Sequence, residues 1–376
     1  MNEPQYTTGT GPYLKAGEFE SSIFFNKNPD QKANVTRVLL RPFIDNSTYT
    51  TELRNRNINV LPGTPFGAES PVLGDGKNYF HKSSIGTTFF ALLYNVQRLN
   101  RDQRHALRAL IDRKKIVDRF FKMGTPQQRN IANYKGAGNN YADYVNYSIF
   151  PTTSYYVEEN VVTPLKEYPA ADLSVLPDTV RIYTNINQGY KEELSEIAGI
   201  LNDPSVFGGK IKVNAASDQD LARGDYDAVL VPVSGYRSNF LFDLYDVFLR
   251  EPNFAVKKIH LQTRVNDKNE RVADARSFQK GKNFFGLDLT GASAEHADTE
   301  KLLEYVYGFM ATSEIGDKQA YAQYLDELDQ KMALGSWLFS LPSLAYFSTQ
   351  FDAGSIHLYG IASQLSTIEK WQEKAK

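Results

Sequence analysis

The stretch Thr179–Val233 constrains the fold more than any other part of the chain, because strand and helix signals alternate along it. Thr179–Thr184 is a β-prone run, and Tyr190–Leu201 places its apolar residues at helical spacing. Lys210–Asn214 returns to strand character, and Tyr226–Val233 (YDAVLVPV) is a third, mostly apolar strand. Strands separated by a helix do not close as a tight hairpin; the crossover lays them side by side and parallel. An α/β architecture with a largely parallel sheet is therefore expected.

Toward the N-terminus, Ser21–Phe25 and Thr36–Phe43 read as strands joined by the turn-rich Asn26–Asn34. Thr48–Arg56 reads as a short helix, Asn57–Val60 as a strand, and residues 61–86, with Gly, Pro and Ser throughout, as loop. Thr87–Gln97 (TTFFALLYNVQ) has the composition of a buried strand. Arg101–Leu110 and Arg113–Lys122 follow as helices, with the Asp112 carboxylate placed to cap the second. Residues 125–178 hold no sustained period and are expected to form a long ordered loop.

Beyond the parallel layer, Leu241–Leu249, Thr299–Thr312 and Lys318–Leu334 read as helices. The last places Tyr321, Tyr324, Leu325 and Leu328 on one stripe. Trp337–Phe351, broken at Pro342, reads as returning strand structure. Ser366–Lys376 reads as a short final helix, with Ser366 and Glu369 at capping-box spacing.

Composition narrows the function. The 376 residues are enough for two or three domains. A formal net charge of −2 lacks the electrostatic footprint of a nucleic-acid-binding chain. No run of 18 apolar residues offers a membrane span. With no cysteine, the chain has no disulfide, thiolate catalysis or zinc-thiolate site, which suits an exported protein. Met1–Tyr6 shows neither a basic region nor an apolar stretch, so any export signal and lipid-anchor cysteine are expected upstream. Tyr and Phe number 23 each against 2 Trp. Sheet packing accounts for such a count, and an aromatic-lined cleft is the alternative, since Tyr joins a flat apolar face to a polar tip.

Catalytic patterns are thin. His81, His105, His260, His296 and His357 are scattered, with no spacing that puts two on one helical or strand face, so no metal site or cofactor is expected. Gly9-Thr10-Gly11 lacks the Lys-Ser/Thr end of a phosphate loop. Ser234-Gly235 closes a strand without the Gly-x-Ser-x-Gly elbow of a hydrolase. Glu158/Glu159 and Glu192/Glu193 read as solvated pairs. The basic run Arg98–Lys122 reads as a solvated helix face around Leu107, Leu110, Ile111, Ile116 and Val117.

Five collinear blocks carry a resemblance. They are GTGPYLKAGEFESSIFFNKNPD at 9–30, VTRVLLRPFIDNSTYTTELRNRNINV at 35–60, and FFALLYNVQRLNRDQRHALRALIDRKKIVDR starting at Phe89. Asn283-Phe284-Phe285-Gly286 with Asp298 and Leu302-Leu303 is the fourth, and Leu341-Pro342 through Gly360 the fifth. The third is the most specific, through Tyr94-Asn95, Arg104-x-Ala106-Leu107 and Ile111-Asp112-Arg113. Together they resemble the dipeptide/oligopeptide-binding family, family 5, of extracytoplasmic solute-binding proteins that serve ABC importers.

That resemblance implies an α/β, periplasmic-binding-protein type II-like fold of two lobes joined by crossover strands, with the first lobe incomplete. Lobe I would take residues 1–98 and 339–376, and lobe II residues 99–338. It further implies a binding protein rather than an enzyme, extracytoplasmic and lipid-anchored when full length. Such a protein captures peptides or similar small solutes between its lobes by hinge closure and delivers them to a membrane permease. A non-transport surface receptor or assembly module on the same fold is the alternative. The ligand-binding residues implied are Val233, Ser234, Tyr236 and Arg237, with Tyr346 and Phe347 from the returning strand. Peptide-binding members carry a Trp and an acidic residue where Val233 and Tyr236 stand here, so the acidic anchor for a peptide ammonium is absent from this loop. Arg237 instead offers a bidentate fork to a carboxylate, or is a surface arginine on a loop.

Overall fold

The computed structural model describes residues 11–42, 46–64, 77–123, 144–152, 154–186, 190–234, 263–265, 267–269, 271–273, 285, 287, 295–358, 365 and 367–374. The chain divides into two compact units, 1–85 with 342–376, and 86–341. Two long strands, β5 (Tyr79–Tyr94) and β11 (Gly335–Ser348), each carry the chain from one unit into the other.

The first unit opens on an antiparallel meander of β1 (Tyr13–Phe19), β2 (Ser22–Lys27) and β3 (Arg37–Leu40). Asn28 closes its base. The Asn28 backbone N–H donates to the Pro12 carbonyl at 2.9 Å and its side-chain amide to Gly11 at 3.0 Å, so the first sequence block is held at both ends. Helix α1 (Asn46–Arg54) leads to β4 (Val60–Thr64), which pairs antiparallel with β11, Val60 opposite Phe347. Residues 79–86 belong to strand β5, although their Gly and Ser content suggests loop. The tertiary neighbours settle it: Phe80 stacks on Phe347 at 5.6 Å, and Tyr79 donates its hydroxyl to the Ile58 carbonyl at 2.8 Å. At the C-terminus a single 3-10 turn, Ile368–Lys370, replaces the expected helix. Burial of Trp371 decides this, since its indole N–H donates to Thr367 Oγ1 at 3.0 Å and its ring lies edge-on to Phe347. Ser366 lies outside the described residues.

In the second unit the sheet order is β11, β5, β8 (Ala228–Ser234), β6 (Val180–Thr184) and β7 (Ile211–Ala215). Strands β6, β7 and β8 run parallel, as the alternation requires, and β5 runs antiparallel to β8. Both faces are covered, which explains why β8 reads as continuous apolar sequence. Phe89, Ala91 and Leu93 with Val229, Val231 and Val233 face one core. That core includes Leu302 and Leu303 of α8 (His296–Ala311) and Leu325 of α9 (Ile315–Met332). On the opposite face Phe90 meets Phe339 at 5.4 Å, which meets Phe120 at 4.9 Å. Each buried Phe of this kind contributes about 2 kcal/mol by area removed from water.

Helix α2 (Arg101–Leu110) starts on a capping box: Gln103 N–H donates to Asn100 at 2.9 Å, and Asn100 N–H to Gln103 Oε1 at 3.0 Å. Asp112 accepts from Lys115 N–H at 3.0 Å and caps α3 (Arg113–Met123), as its position predicts. Between α3 and β6 the described backbone is irregular apart from a short helix, α4 (Tyr155–Glu158), and the 3-10 turn Leu173–Val175. Helix α5 (Lys191–Asn202) buries Leu194, Ile197, Ile200 and Leu201, and the one-turn α6 (Pro204–Phe207) follows. A further helix, α7 (Asp218–Arg223), was not legible from periodicity because it is under two turns long; its Ser217/Asp220 capping box was the available signal. A hairpin of β9 (Thr263–Val265) and β10 (Arg271–Ala273) also escapes sequence reading. Residues 241–249, expected as helix, lie outside the described residues. Tyr324 is 44% exposed and does not share the buried stripe of Leu325 and Leu328.

The basic run corrects a sequence expectation. Arg104, Arg108 and Arg113 are buried rather than solvated. Arg104 donates to Glu295 at 2.6 Å, to the Leu99 carbonyl at 2.8 Å and to the Met332 carbonyl at 2.9 Å. Arg108 donates to Asp329 Oδ1 at 2.7 Å and to the Gly335 carbonyl at 2.8 Å. Burial opposes the Arg108 charge, but the Asp329 carboxylate more than restores it and lifts the pKa above the usual arginine value. These side chains fasten α2 to α9 and to the first residue of β11. They set the strand that forms the sheet.

Candidate ligand-binding site

Parallel strands end on one side of a sheet, and in open α/β sheets that carboxyl edge is where loops gather around a ligand. In the second unit it is made by Thr184-Asn185 after β6, Ala215–Ser217 after β7, and Val233-Ser234 closing β8. Thr88 of β5 lies opposite Ser234 in register. The local chemistry is polar and uncharged at the strand tips. Thr184 Oγ1 donates to the Leu230 carbonyl at 3.0 Å, which ties β6 to β8, and Asn185 donates its amide to the Asp218 carboxylate at the start of α7.

Tyr190 stands at the N-cap of α5 with φ 52° and ψ 32°, a left-handed conformation that a non-glycine residue adopts at a cost of about 1 kcal/mol. Its ring lies edge-on to Phe90 at 6.0 Å, and its hydroxyl bonds Thr88 Oγ1 at 3.0 Å. Tyr190 remains 37% exposed at the carboxyl edge. The first turn of α5 carries Glu192 and Glu193, which answer the positive end of the helix dipole. Glu193 is half-buried, not solvated as its sequence setting suggests, and burial raises its carboxyl pKa.

The residues singled out from the sequence fall in three places. Val233 is buried in the core face of β8, and Ser234 ends that strand opposite Thr88. Tyr236 and Arg237 lie outside the described residues. Tyr346 and Phe347 are buried in the first unit: Tyr346 packs with Leu53 and Tyr79, and Phe347 lies between Phe80 and Trp371. Thus β8 and its register partner bring Val233, Ser234 and Thr88 to one edge. Thr88 and Tyr190 were not found by sequence reasoning. Nothing in their local composition marks them, because the cross-strand register and the turn into α5 bring them together.

A family model described as Bacterial extracellular solute-binding proteins, family 5 Middle matches residues 1–236. No curated protein matches the sequence. Among solved structures, the ABC transporter substrate binding protein CtaP from Listeria monocytogenes superposes with a TM-score of 0.56 at 12% identity, covering 97% of this chain and 67% of that one. HbpA2 from Haemophilus parasuis gives a TM-score of 0.55 at 14% identity, covering 98% and 64%. AppA from Clostridium difficile, a candidate peptide binding protein, gives 0.54 at 12% identity, covering 97% and 68%. The chain therefore spans about two thirds of the length of these proteins.

Proposed function

The chain belongs to the bacterial extracellular solute-binding proteins of family 5, with the type II periplasmic-binding-protein fold, and from that premise we propose that it is the ligand-capturing component of an ABC importer, with peptides as its ligand class. The observation that carries this reading is the span of the family match. It runs to residue 236 and so includes all three parallel strands and the residues that end them. The description of CtaP as a substrate binding protein of an ABC transporter, and of AppA as a candidate peptide binder, supports the same class.

The chemistry of the edge suits a peptide. A peptide backbone presents alternating donors and acceptors, which neutral hydroxyls of the Thr88 and Tyr190 type can meet in either sense. The exposed Tyr190 ring offers a flat apolar face to a side chain. In this proposal Arg237 receives the peptide's terminal carboxylate by a bidentate pair, because this chain carries no acidic residue at Val233 or Tyr236 to hold the ammonium. The protein acts on its ligand by binding alone, and a membrane permease is its partner. No helix among the described residues is long and apolar enough to cross a membrane.

Isothermal calorimetry against di- to pentapeptides tests this. Binding heat is expected from at least one length class, with affinity falling tenfold or more when the peptide C-terminus is amidated. Absence of heat from every peptide at millimolar concentration sinks the peptide reading and leaves the receptor or assembly module. Binding that ignores both amidation and Arg237→Ala sinks the role given to Arg237.

A further inference from the structure

Beneath the start of β11, on the side of the second unit away from the strand tips, lies a buried cluster of charges. Two of its members are carboxylates one helical turn apart on α9, Asp326 and Asp329, 5% and 2% exposed. Asp329 is fully engaged: Arg108 donates to one oxygen at 2.7 Å, and the Trp337 indole to the other at 2.8 Å. Asp326 has no ion pair among the described residues. Its Oδ1 accepts from Ser148 Oγ, and its Oδ2 accepts from Gln330 Nε2 at 2.6 Å.

The groups around this pair come from five elements. Helix α2 supplies Arg108, α9 supplies Asp329 and Gln330, and β11 supplies Trp337. Helix α3 supplies Arg113, which donates to Tyr168 Oη at 2.8 Å and stacks on the Tyr147 and Tyr168 rings without a carboxylate partner among the described residues. The segment 144–168 supplies Ser148 and Tyr168. The Tyr168 hydroxyl feels Arg108, Arg113, Asp329 and Asp326 together, and burial holds it protonated.

We propose that Asp326 is a buried proton-binding site, and that its protonation state sets how residues 144–150 are anchored to α9. The segment is laid along β11 by the Val145–Phe339 bridge, by Asn146 N–H to the Leu338 carbonyl at 3.0 Å, and by Asn146 Nδ2 to Ser340 Oγ at 3.1 Å. Ser148 ties it to α9 through Asp326. An ionised Asp326 accepts from both Ser148 and Gln330, whereas a proton on Oδ1 makes that oxygen a donor toward Ser148 and leaves Oδ2 to accept from Gln330. Gln330 is fixed on the same helix four residues on. Ser148 belongs to the separate segment 144–150, and its oxygen also receives the Phe150 N–H at 3.1 Å. Proton uptake therefore reverses the Ser148 bond, and Ser148 Oγ, now accepting from Asp326, is shared with the Phe150 N–H, which loosens Phe150. Burial and the neighbouring Asp329 charge push the Asp326 carboxyl up to about 6, against the pull of the Ser148 and Gln330 donors and of Arg108. This site acts whether or not the chain binds peptides.

The test is a carboxyl-carbon NMR titration of the intact chain labelled at aspartate, with Asp326→Asn assigning the resonance. A midpoint close to pH 6 is expected. Ser148→Ala removes a donor to the charged form, so it should move that midpoint upward by about one unit. Amide exchange at Phe150, corrected for intrinsic pH dependence, should lose about tenfold in protection between pH 7 and pH 5. A wild-type midpoint below pH 5 overturns the proposal, as does Phe150 protection that stays flat across that range. Should Asp326→Asn fail to fold, the Ser148→Ala shift still assigns the resonance and decides the matter.

Discussion

Replacing Arg108 by methionine should cost the second unit about 4 kcal/mol. Arg108 is 2% exposed, and its guanidinium makes three bonds to α9 and β11: Asp329 Oδ1 at 2.7 Å, the Asp329 carbonyl at 3.0 Å, and the Gly335 carbonyl at 2.8 Å. Methionine keeps most of the apolar stem but leaves the Asp329 carboxylate buried, with the Trp337 indole still donating to it. Removing one partner of a buried pair costs about 3–5 kcal/mol, because the orphaned charge stays out of water. The two carbonyls that lose a donor keep the value off the lower end of that range. The same reasoning gives a sign for the double variant: Asp329→Asn, added to Arg108→Met, removes the stranded charge and should return about 2 kcal/mol.

The two tryptophans make this measurable. Trp337 is fully buried beside Asp329 in the second unit, and Trp371 is fully buried in the first. Fluorescence of a Trp371→Phe background therefore follows the second unit during urea unfolding. With a slope of about 3 kcal/mol per molar, a loss of 4 kcal/mol lowers the midpoint by about 1.3 M. A midpoint shift equivalent to less than about 1 kcal/mol refutes the reasoning. So does a double variant no more stable than Arg108→Met alone, since it would mean the buried charge is not the source of the loss.

Gly335→Ala should be destabilising by about 2 kcal/mol or more, read by the same urea assay, because a Cβ there runs into the Leu92 carbonyl oxygen on β5. Asp326 gives a pH dependence of defined sign. Its folded-state pKa is raised to about 6, so the native state holds a proton that the unfolded chain has released. The stabilising contribution is present below about pH 4 and is lost as pH rises through 6, amounting to about 3 kcal/mol for a shift of roughly two units. Asp326→Asn should flatten that part of the stability profile between pH 4 and pH 7, and an unchanged slope would exclude Asp326 as its source.

How much of this was legible beforehand depends on which force places each residue. The parallel layer was visible because β8 carries an unbroken apolar run and β6 and β7 bury alternate residues, with the amphipathic α5 between β6 and β7. The Asp112 cap was visible because its bond is local, three residues away. Strand β5 was legible from Thr87 onward, where Phe89–Tyr94 fill the core, but not at Tyr79–Gly86, where pairing and stacking partners rather than composition make the strand. The candidate site was legible at Val233 and Ser234, which end an obvious strand. Thr88 and Tyr190 were not, since they meet across about 100 residues of sequence.

The sequence alone determined the α/β class, the order of the parallel strands' signals and the family, because apolar periodicity and short local motifs survive in one dimension. Only the tertiary structure decided the fate of the charges. Arg104, Arg108 and Arg113 look like a solvated basic face, yet Arg104 and Arg108 reach partners more than 190 residues away, and Arg113 is held by Asn146, Lys166 and Tyr168. A charge enters the interior only when donors and acceptors from other elements meet it there, and those elements are assembled by the fold, not by neighbouring residues.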